Sequence, residues 1–256
     1  MKHRKPSPLQ IELLKLLYKF RFATIPLLAE HKQKSPMTIT QSIKTLQGKK
    51  LIARNYSLTY KLAGRGAEYY LTNTGIKFLR DNYPVNEAVL HAMYKNKSIG
   101  QPFIQKCLLI YQTYIKLQKQ YGSSLTILTK AEIAGAEGFP EPLPDLYFYS
   151  ESAEYLLDIF TDNLFYLVKK RIDQLIEHYE SGDWPEKDYP TLLLVFPNKS
   201  IEAKAQAYIE KVKDDNYIED GELTILTTTQ KALLSESVAI WSTKAKDVPT
   251  CLQSLR

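Results

Sequence analysis

Several features that mark common protein classes are scarce or missing in this sequence of 256 residues. The two cysteines, Cys107 and Cys251, lie far apart and outside any CxxC spacing, which argues against a zinc module or a disulfide scaffold and fits a reducing cytoplasm. No apolar run approaches the roughly 18 residues that cross a bilayer, so we expect no membrane association. The sequence has no P-loop, no GxGxxG and no HExxH, and its four histidines fall in separate segments, so no histidine metal cluster is indicated.

Charge is distributed unevenly along the chain, although the overall composition is that of a soluble globular protein. Residues 1–90 hold 16 Lys and Arg against 5 Asp and Glu, a formal charge of +11, whereas residues 91–256 hold 18 against 23, a charge of −5. A positive excess confined to one part predicts a polyanionic partner, most simply nucleic acid. The alternative is a lysine-rich surface that serves solubility only.

Three short helices are predicted in the basic part. The Ser-Pro pairs that begin at Ser7 and Ser35 are typical of a helix N-cap followed by proline at the first helical position, and a shorter apolar segment begins near Thr24. The chain before Ser7 is interpreted as a basic arm and not as a signal peptide, because charged residues interrupt the apolar segment that follows. The third helix ends at Gly48, and its apolar positions form a narrow stripe: Ile39, Ile43 and Leu46.

The rest of the third helix carries short polar side chains, as expected of a helix that enters the major groove. A strand that begins at residue 51 and another that ends at residue 72 flank a segment rich in glycine and basic residues, which is the composition of a wing. The following phrase, YYLTNTGIKFL, resembles the strand-to-helix transition of winged helix-turn-helix domains, where YxLTxxG is frequent. We therefore predict that duplex DNA is contacted by residues of this helix and hairpin: Thr38, Thr40, Gln41, Lys44, Thr45, Gln47, Lys49, Arg54, Lys61 and Arg65. The alternative is a small three-helix core without DNA contact.

The remainder of the chain predicts a second domain with helices packed on a mixed sheet. We place a winged helix-turn-helix domain at residues 1–83, a linker at 84–98 and an α/β domain at 99–256. The order α-β-β-β-α-β-α-β is also the order of the PD-(D/E)XK nuclease core, so the predicted fold class is a two-domain α/β protein whose second domain resembles a restriction-endonuclease-like fold.

A hairpin in this second domain carries two acids at positions that such nucleases use. Asp145 lies at the start of the first strand and Asp158 near the end of the second, and two carboxylates on adjacent strands can share Mg²⁺. The lysine expected two residues after the second acid is replaced by Phe160. A lysine relocated to the next helix, Lys169 or Lys170, would allow an active Mg²⁺-dependent nuclease. Otherwise the domain is a catalytically inactive relative of that fold, or an unrelated α/β domain in which the two aspartates only end strands.

The chain as a whole resembles the replication-relaxation family of plasmid and mobile-element proteins. The resemblance rests on the segments LLKLLYKFRFATIPLLAE, YYLTNTG, PDLYFY, YLLDIF and TLLLVFPN, and it covers most of residues 7–198. It implies a cytoplasmic DNA-binding accessory protein that acts near an origin in replication, relaxation or mobilisation, with no cofactor unless the acidic pair is active. A relaxase or replication protein and a second copy of the chain are the implied protein partners. A transcriptional regulator whose C-terminal domain dimerises or senses a ligand is the remaining alternative.

Overall fold

The structure, a computed structural model, divides the chain into two compact units. It describes residues 5–56, 60, 62, 64–161, 164–186, 188–219, 221–235, 240–243, 246–250 and 252. The first unit comprises Met1–Ile115 and the second Lys116–Arg256. The charge contrast is larger at this division, because the first unit holds 19 Lys and Arg against 5 Asp and Glu (+14) and the second holds 15 against 23 (−8).

The first unit consists of short helices and one antiparallel pair of strands. Its elements in chain order are α1 (Pro8–Phe20), α2 (Ile25–Lys32), α3 (Pro36–Gly48), β1 (Ile52–Asn55), β2 (Glu68–Leu71), α4 (Asn73–Asn82), α5 (Glu87–Met93) and α6 (Gln101–Tyr121). The hydroxyl groups of Ser7 and Ser35 accept from backbone N–H groups in the first turns of α1 and α3, and each helix has proline at its start. These two helix starts agree with the sequence signals.

Strand β2 is attached to the helices as well as to β1. It pairs antiparallel with β1, and Tyr69 exchanges both backbone hydrogen bonds with Ala23, between α1 and α2. Helix α1 packs against β2, α3 and α4. The core of the unit is formed by fully or almost fully buried apolar side chains: Leu13, Leu14, Leu17, Phe22, Leu28, Ile39, Ile43 and Leu46. The hairpin base is therefore part of the same core as the helices.

A close backbone approach fixes the end of the hairpin to the start of α4. The hydroxyl of Thr72 accepts from the backbone N–H of Gly75 and donates to the carbonyl oxygen of Lys50, and the backbone N–H of Thr72 donates to the carbonyl oxygen of Leu51. A Cβ atom placed on Gly75 would lie 2.0 Å from that Leu51 oxygen. The LTxxG phrase is thus explained by packing, since threonine caps the helix and only glycine fits beside the carbonyl group.

The segment expected as a linker, residues 84–98, is folded and lies within the first unit. It contains α5, which Asn86 caps, and a 3-10 turn at Asn96–Ser98. The guanidinium group of Arg21 donates to the carbonyl oxygen of Ala92 (2.6 Å) and to the side-chain oxygen of Asn96 (2.7 Å). The first compact unit consequently continues past residue 83, to Ile115.

An aromatic cluster joins α6 to the rest of the first unit. The ring of Tyr111 stacks on Phe20 with centroids 3.9 Å apart, and His31 stacks on Tyr114 at 5.7 Å. Burial, with a smaller contribution from the neighbouring charge of Lys32, lowers the pKa of His31 to about 4, so the imidazole is neutral at pH 7. This part of α6 belongs to the hydrophobic core of the first unit.

The second unit is a mixed α/β domain built on a seven-stranded sheet. Its strands are β3 (Thr126–Thr129), β4 (Leu146–Tyr149), β5 (Glu154–Ile159), β6 (Thr191–Phe196), β7 (Ile225–Thr229), β8 (Trp241–Thr243) and β9 (Lys246–Thr250). Its helices are α7 (Lys130–Ile133), α8 (Phe165–Ser181), α9 (Lys199–Asp215) and α10 (Gln230–Leu233). The order of elements up to β7 is the predicted order with one short additional helix, α7.

The sheet has the strand order β3-β4-β5-β6-β7-β8-β9. Strands β3, β4 and β5 form an antiparallel meander, whereas β5, β6 and β7 are parallel and are connected through α8 and α9. Both helices contribute to one apolar core, which includes Val168, Ile172, Ala205 and Ile209. This core lies against Leu192 and other side chains of the parallel strands. The acids of the predicted nuclease hairpin thus lie on β5 and beside β4.

The strands that follow β7 are not part of the order predicted from the sequence. After β7 the chain forms one helical turn, α10, and then strands β8 and β9 extend the sheet. The segment contains valine, isoleucine, tryptophan and threonine, which favour strands where a sheet edge offers pairing partners. Among the described residues, no helix is long and apolar enough to cross a membrane.

We predict that Gly75→Ala destabilises the first unit by about 3 kcal/mol, because the new methyl group overlaps the Leu51 carbonyl and forces the backbone apart. Both tryptophans, Trp184 and Trp241, lie in the second unit. Denaturant unfolding should therefore be followed by far-ultraviolet circular dichroism, which reports helices of both units, and by tryptophan fluorescence, which reports the second unit.

The matched control is Gly48→Ala, since no atom lies within 4 Å of a Cβ placed on Gly48. We expect Gly48→Ala to leave the first unit as stable as the parent protein or slightly more stable. An unchanged dichroism transition in Gly75→Ala would contradict the packing explanation of the LTxxG phrase.

Candidate nucleic-acid interface

Helix α3 turns a polar face to solvent because its apolar side chains occupy one stripe. Ile39, Ile43 and Leu46 are buried. The opposite side, which we call the outer face of α3, consists of exposed residues only: Met37, Gln41, Lys44, Thr45 and Gly48. At about 100° per residue, Gln41 and Gly48 lie farthest from the buried stripe. The outer face can therefore approach a ligand without disturbing the core.

The predicted DNA-contacting residues on α3 fall into two groups. Gln41, Lys44 and Thr45 belong to the outer face, and Thr38 is exposed beside the N-cap. The other three residues are half-buried at the edges of the helix: Thr40, Gln47 and Lys49. The structure thus brings four of the predicted residues together on exposed surface of one helix.

The threonine hydroxyl groups of α3 are already engaged within the helix. Thr40 donates to the carbonyl oxygen of Pro36 (2.7 Å), and Thr45 donates to that of Gln41 (3.0 Å). The Thr38 hydroxyl lies 2.9 Å from the Ser35 hydroxyl at the N-cap. Because the Thr45 hydroxyl is turned onto its own backbone, its methyl group is the part of this exposed side chain that remains for contact with a ligand.

The predicted wing residues occupy different environments. Arg54 lies over the ring of Tyr56, 5.4 Å from its centroid. Arg65 pairs with the buried carboxylate of Glu68 at 2.9 Å and lies over the ring of Tyr60 at 4.7 Å. Lys61 lies outside the described residues. Arg65 therefore has an internal partner at the base of the hairpin, whereas Arg54 contacts an aromatic ring.

Glu68 is a buried carboxylate that sequence reasoning did not identify as important. One of its oxygens accepts from Arg65, from Gln101 (2.8 Å) and from Gln105 (3.0 Å), and the other accepts from the hydroxyl of Tyr60 (2.9 Å). Burial and the neighbouring Glu68 carboxylate raise the pKa of Tyr60. This network joins the base of the hairpin to the start of α6. The signal available in the sequence was an acidic residue within a strongly basic part of the chain.

The two acids of the second unit occupy neighbouring positions on the adjacent strand ends of the β4–β5 hairpin. The antiparallel register pairs Leu146 with Leu157, so Asp145 and Asp158 occupy facing positions one residue farther along. Both carboxylates are buried, with exposed fractions of 2% and 6%. Their positions agree with the expectation of two acids on adjacent strands. The cations found beside them, however, are not Lys169 or Lys170, the two that the sequence suggested.

Each acid is neutralised by a cation of the protein itself. Asp145 accepts from the ammonium group of Lys130 (2.9 Å) and from the backbone N–H of Ile159 (2.8 Å). Asp158 accepts from Nε of the Arg171 guanidinium group (2.8 Å), and Nη2 of the same group lies 2.8 Å from the same carboxylate oxygen as an ion pair. Three of the four carboxylate oxygens thus have an identified donor, which does not fit a pair of carboxylates arranged to share Mg²⁺. Among the described residues, no group of three or more His, Cys, Asp or Glu side chains is placed to hold a metal ion.

The residues proposed to replace the missing lysine are engaged elsewhere or exposed. Phe160 is half-buried, and it packs against the hydrophobic core by stacking on Phe196 with centroids 5.1 Å apart. The ammonium group of Lys169 lies 4.7 Å above the ring of Tyr208, and Lys170 is exposed. The cations beside the acids are instead Lys130, which precedes the hairpin, and Arg171, one residue after Lys170. Sequence reasoning missed both because it considered lysines after the second acid only.

No protein-family model matches the chain, and no curated protein matches it. Among solved structures, a mutant of Lactococcus lactis ZitR is 20% identical over 48% of this chain and 67% of its own, with a TM-score of 0.27. A second ZitR mutant is 19% identical over 46% and 77% of the two chains, with a TM-score of 0.27. The apo form of this second mutant is 19% identical over 45% of this chain and 83% of its own, with a TM-score of 0.26. These TM-scores are too low to define a shared fold.

We predict that the buried pair of Asp158 and Arg171 stabilises the second unit only as a pair. Asp158→Leu and Arg171→Met should each lower the free energy of unfolding by about 3–5 kcal/mol, because each leaves one buried charge unpaired. The double variant should lose less stability than either single variant, since it removes both charges. Tryptophan fluorescence during denaturant unfolding measures all three.

An exposed ion pair serves as the comparison. Glu12 and Lys32 lie 2.7 Å apart with exposed fractions of 51% and 27%, so Lys32→Met should cost less than about 1 kcal/mol. Because this pair lies in the first unit, which has no tryptophan, its loss is followed by far-ultraviolet circular dichroism. Losses that simply add in the Asp158→Leu, Arg171→Met double variant would show that the two charges do not depend on each other.

Proposed function

We propose that the first unit is a winged helix-turn-helix module that binds duplex DNA, with α3 in the major groove and the β1–β2 hairpin as the wing. The observation that carries this proposal is the outer face of α3, which combines an amide, an ammonium group and a short side chain on a helix whose other side is fixed in the core. These are the groups that read base edges and phosphates.

The charge of the two units supports the same assignment. The first unit carries +14, which favours association with a polyanion through release of counterions from the phosphate backbone. The second unit carries −8, which opposes such association. We therefore assign the DNA contact to the first unit, with the exposed Lys44 and the half-buried Lys49 as phosphate-contacting candidates on α3 and Arg54 on the hairpin. Arg65 is given a positioning role, because Glu68 already holds its guanidinium group.

The narrower role rests on the resemblance of the sequence to the replication-relaxation family. On that basis we propose a cytoplasmic accessory protein of a plasmid or mobile element, which binds near an origin and cooperates with a relaxase or a replication protein, as a monomer or a homodimer. A transcriptional regulator would use the same α3 surface. The two roles differ in the position of the bound site, which is an origin in one case and a promoter in the other.

We infer that the acidic pair of the second unit serves the fold and does not cleave DNA. Lys130 and Arg171 already compensate the charges that a metal ion would otherwise compensate, and Phe160 packs against the core. The second unit then acts as a scaffold with a nuclease-like order of strands and helices. This inference is separate from DNA binding by the first unit.

DNA binding is tested by removing Lys44 of α3 and Lys49, which follows the last residue of the helix. Lys44→Ala together with Lys49→Ala should weaken binding to a labelled duplex by about tenfold and make the logarithmic salt dependence shallower by about 2, because two phosphate contacts are lost. Fluorescence anisotropy over a range of salt concentrations measures both quantities. The matched control, Lys204→Ala with Lys211→Ala, removes the same charge from exposed positions of α9 in the second unit. Equal affinities of the two double variants would contradict the assignment of α3.

Absence of cleavage is tested separately. Supercoiled plasmid incubated with the full chain and Mg²⁺ or Mn²⁺ should stay supercoiled. Nicking that disappears in Asp158→Asn, with the protein still folded by circular dichroism, would establish the nuclease alternative and overturn the scaffold role of the pair.

A further inference from the structure

The outer face of α3 contains an exposed methionine that packing does not explain. Met37 is 67% exposed, although it lies in the first turn of a helix whose apolar stripe is already complete without it. An isolated exposed apolar residue is common on protein surfaces. Here, however, it lies on the same face as Gln41 and Lys44, the side chains proposed to meet DNA.

A second apolar group lies on the same face. The Thr45 hydroxyl donates to the carbonyl oxygen of Gln41, so the exposed part that can contact a ligand is its methyl group. Along the helix, Met37 and Thr45 are separated by eight positions, and Gln41 lies midway between them. The outer face therefore has one amide group flanked on both sides by apolar groups.

At the C-terminal end of this face no side chain projects from the helix, because residue 48 is glycine. It is exposed, it lies farthest from the buried stripe together with Gln41, and no atom lies within 4 Å of a Cβ placed on it. A groove wall can therefore approach the helix backbone closely at this end. Close approach favours contacts by the short side chain of Thr45, three residues earlier.

This arrangement corresponds to the major-groove edge of A·T base pairs. Adenine presents an acceptor and a donor that a glutamine amide can bind with two hydrogen bonds, and thymine presents a methyl group that favours apolar contact. Helix α3 contains no arginine, the residue that most often reads guanine, and Lys44 is its only lysine. The outer face thus has more groups suited to adenine and thymine than to guanine and cytosine.

Building on the proposed function, we infer that α3 reads A·T base pairs in the major groove, with Gln41 on adenine and with Met37 and the Thr45 methyl group on thymine methyl groups. Lys44 contacts phosphate and positions the helix without selecting bases. The preferred ligand is accordingly duplex DNA with an A·T-rich segment where the outer face of α3 lies.

The first experiment identifies the preferred duplex. The full chain is used to select binders from a pool of randomised duplexes, and A·T pairs should be enriched in the bound positions. Thymines of the selected duplex are then replaced one at a time by uracil, which lacks only the C5-methyl group in the major groove. Replacement at a contacted thymine should weaken binding about fourfold, the effect of one buried methyl group.

Two substitutions at one position then identify the contacting atom. Thr45→Ser removes the methyl group and keeps the hydroxyl, so it should abolish the uracil penalty at one thymine. Thr45→Val keeps a methyl group and removes the hydroxyl, so the penalty should persist. Met37→Ala should abolish the penalty at a different thymine, and Gln41→Ala should reduce the preference for adenine about tenfold.

The outcomes separate this inference from the proposed function. Salt-dependent duplex binding that is equally tight with uracil and thymine, or a selected site of G·C pairs that depends on Lys44, overturns A·T reading and leaves DNA binding intact. Failure of the parent chain to bind any duplex overturns both.

Discussion

The carbonyl group of Leu51 is the point at which the helices and the hairpin of the first unit meet. Leu51 lies three residues after Gly48, the last residue of α3, and its N–H donates to the carbonyl oxygen of Leu46 inside that helix. Its own oxygen accepts from Thr72 and leaves space for glycine alone at position 75. Because the end of α3, the start of β1 and the start of α4 share this contact, the orientation of α3 relative to the hairpin is set by backbone atoms. The outer face of α3 can then vary in side chains without a change in its position.

Buried acids in both units are satisfied by cations of the chain. Glu68 is paired with Arg65, Asp145 with Lys130 and Asp158 with Arg171. Glu202 on α9 follows the same rule through Lys199, at 2.7 Å. A buried carboxylate without such a partner costs several kcal/mol, so these cations are committed to the fold. The basic residues available to an external polyanion are consequently those that are not held by these buried acids, and α3 presents Lys44 on its outer face.

The sequence was informative where the determinants of structure are local. Ser7 and Ser35 followed by proline located two helix starts, and the LTxxG phrase located the start of α4, because caps and close approaches involve residues only a few positions apart. The order of strands and helices up to β7 followed from apolar patterns of similar local range. Contacts across long separations were not predictable in this way. The pairing of Glu68 with Gln101, the folding of residues 84–98 against Arg21, and strands β8 and β9 all depend on partners that only the folded chain brings together.

The pair formed by Asp158 and Arg171 also limits how this domain can change during evolution. Under the scaffold role proposed above, a gain of cleavage would require at least two alterations, a lysine in place of Phe160 and the release of Asp158 from Arg171. Taken alone, the first places an ammonium group against the ring of Phe196, and the second leaves a buried carboxylate without its arginine partner. Each of these substitutions alone lowers the stability of the second unit before it gives any catalytic benefit. The two changes are therefore accessible only together, or after a stabilising substitution elsewhere in the chain. Under that proposal, the arrangement acts as an epistatic barrier to a gain of cleavage.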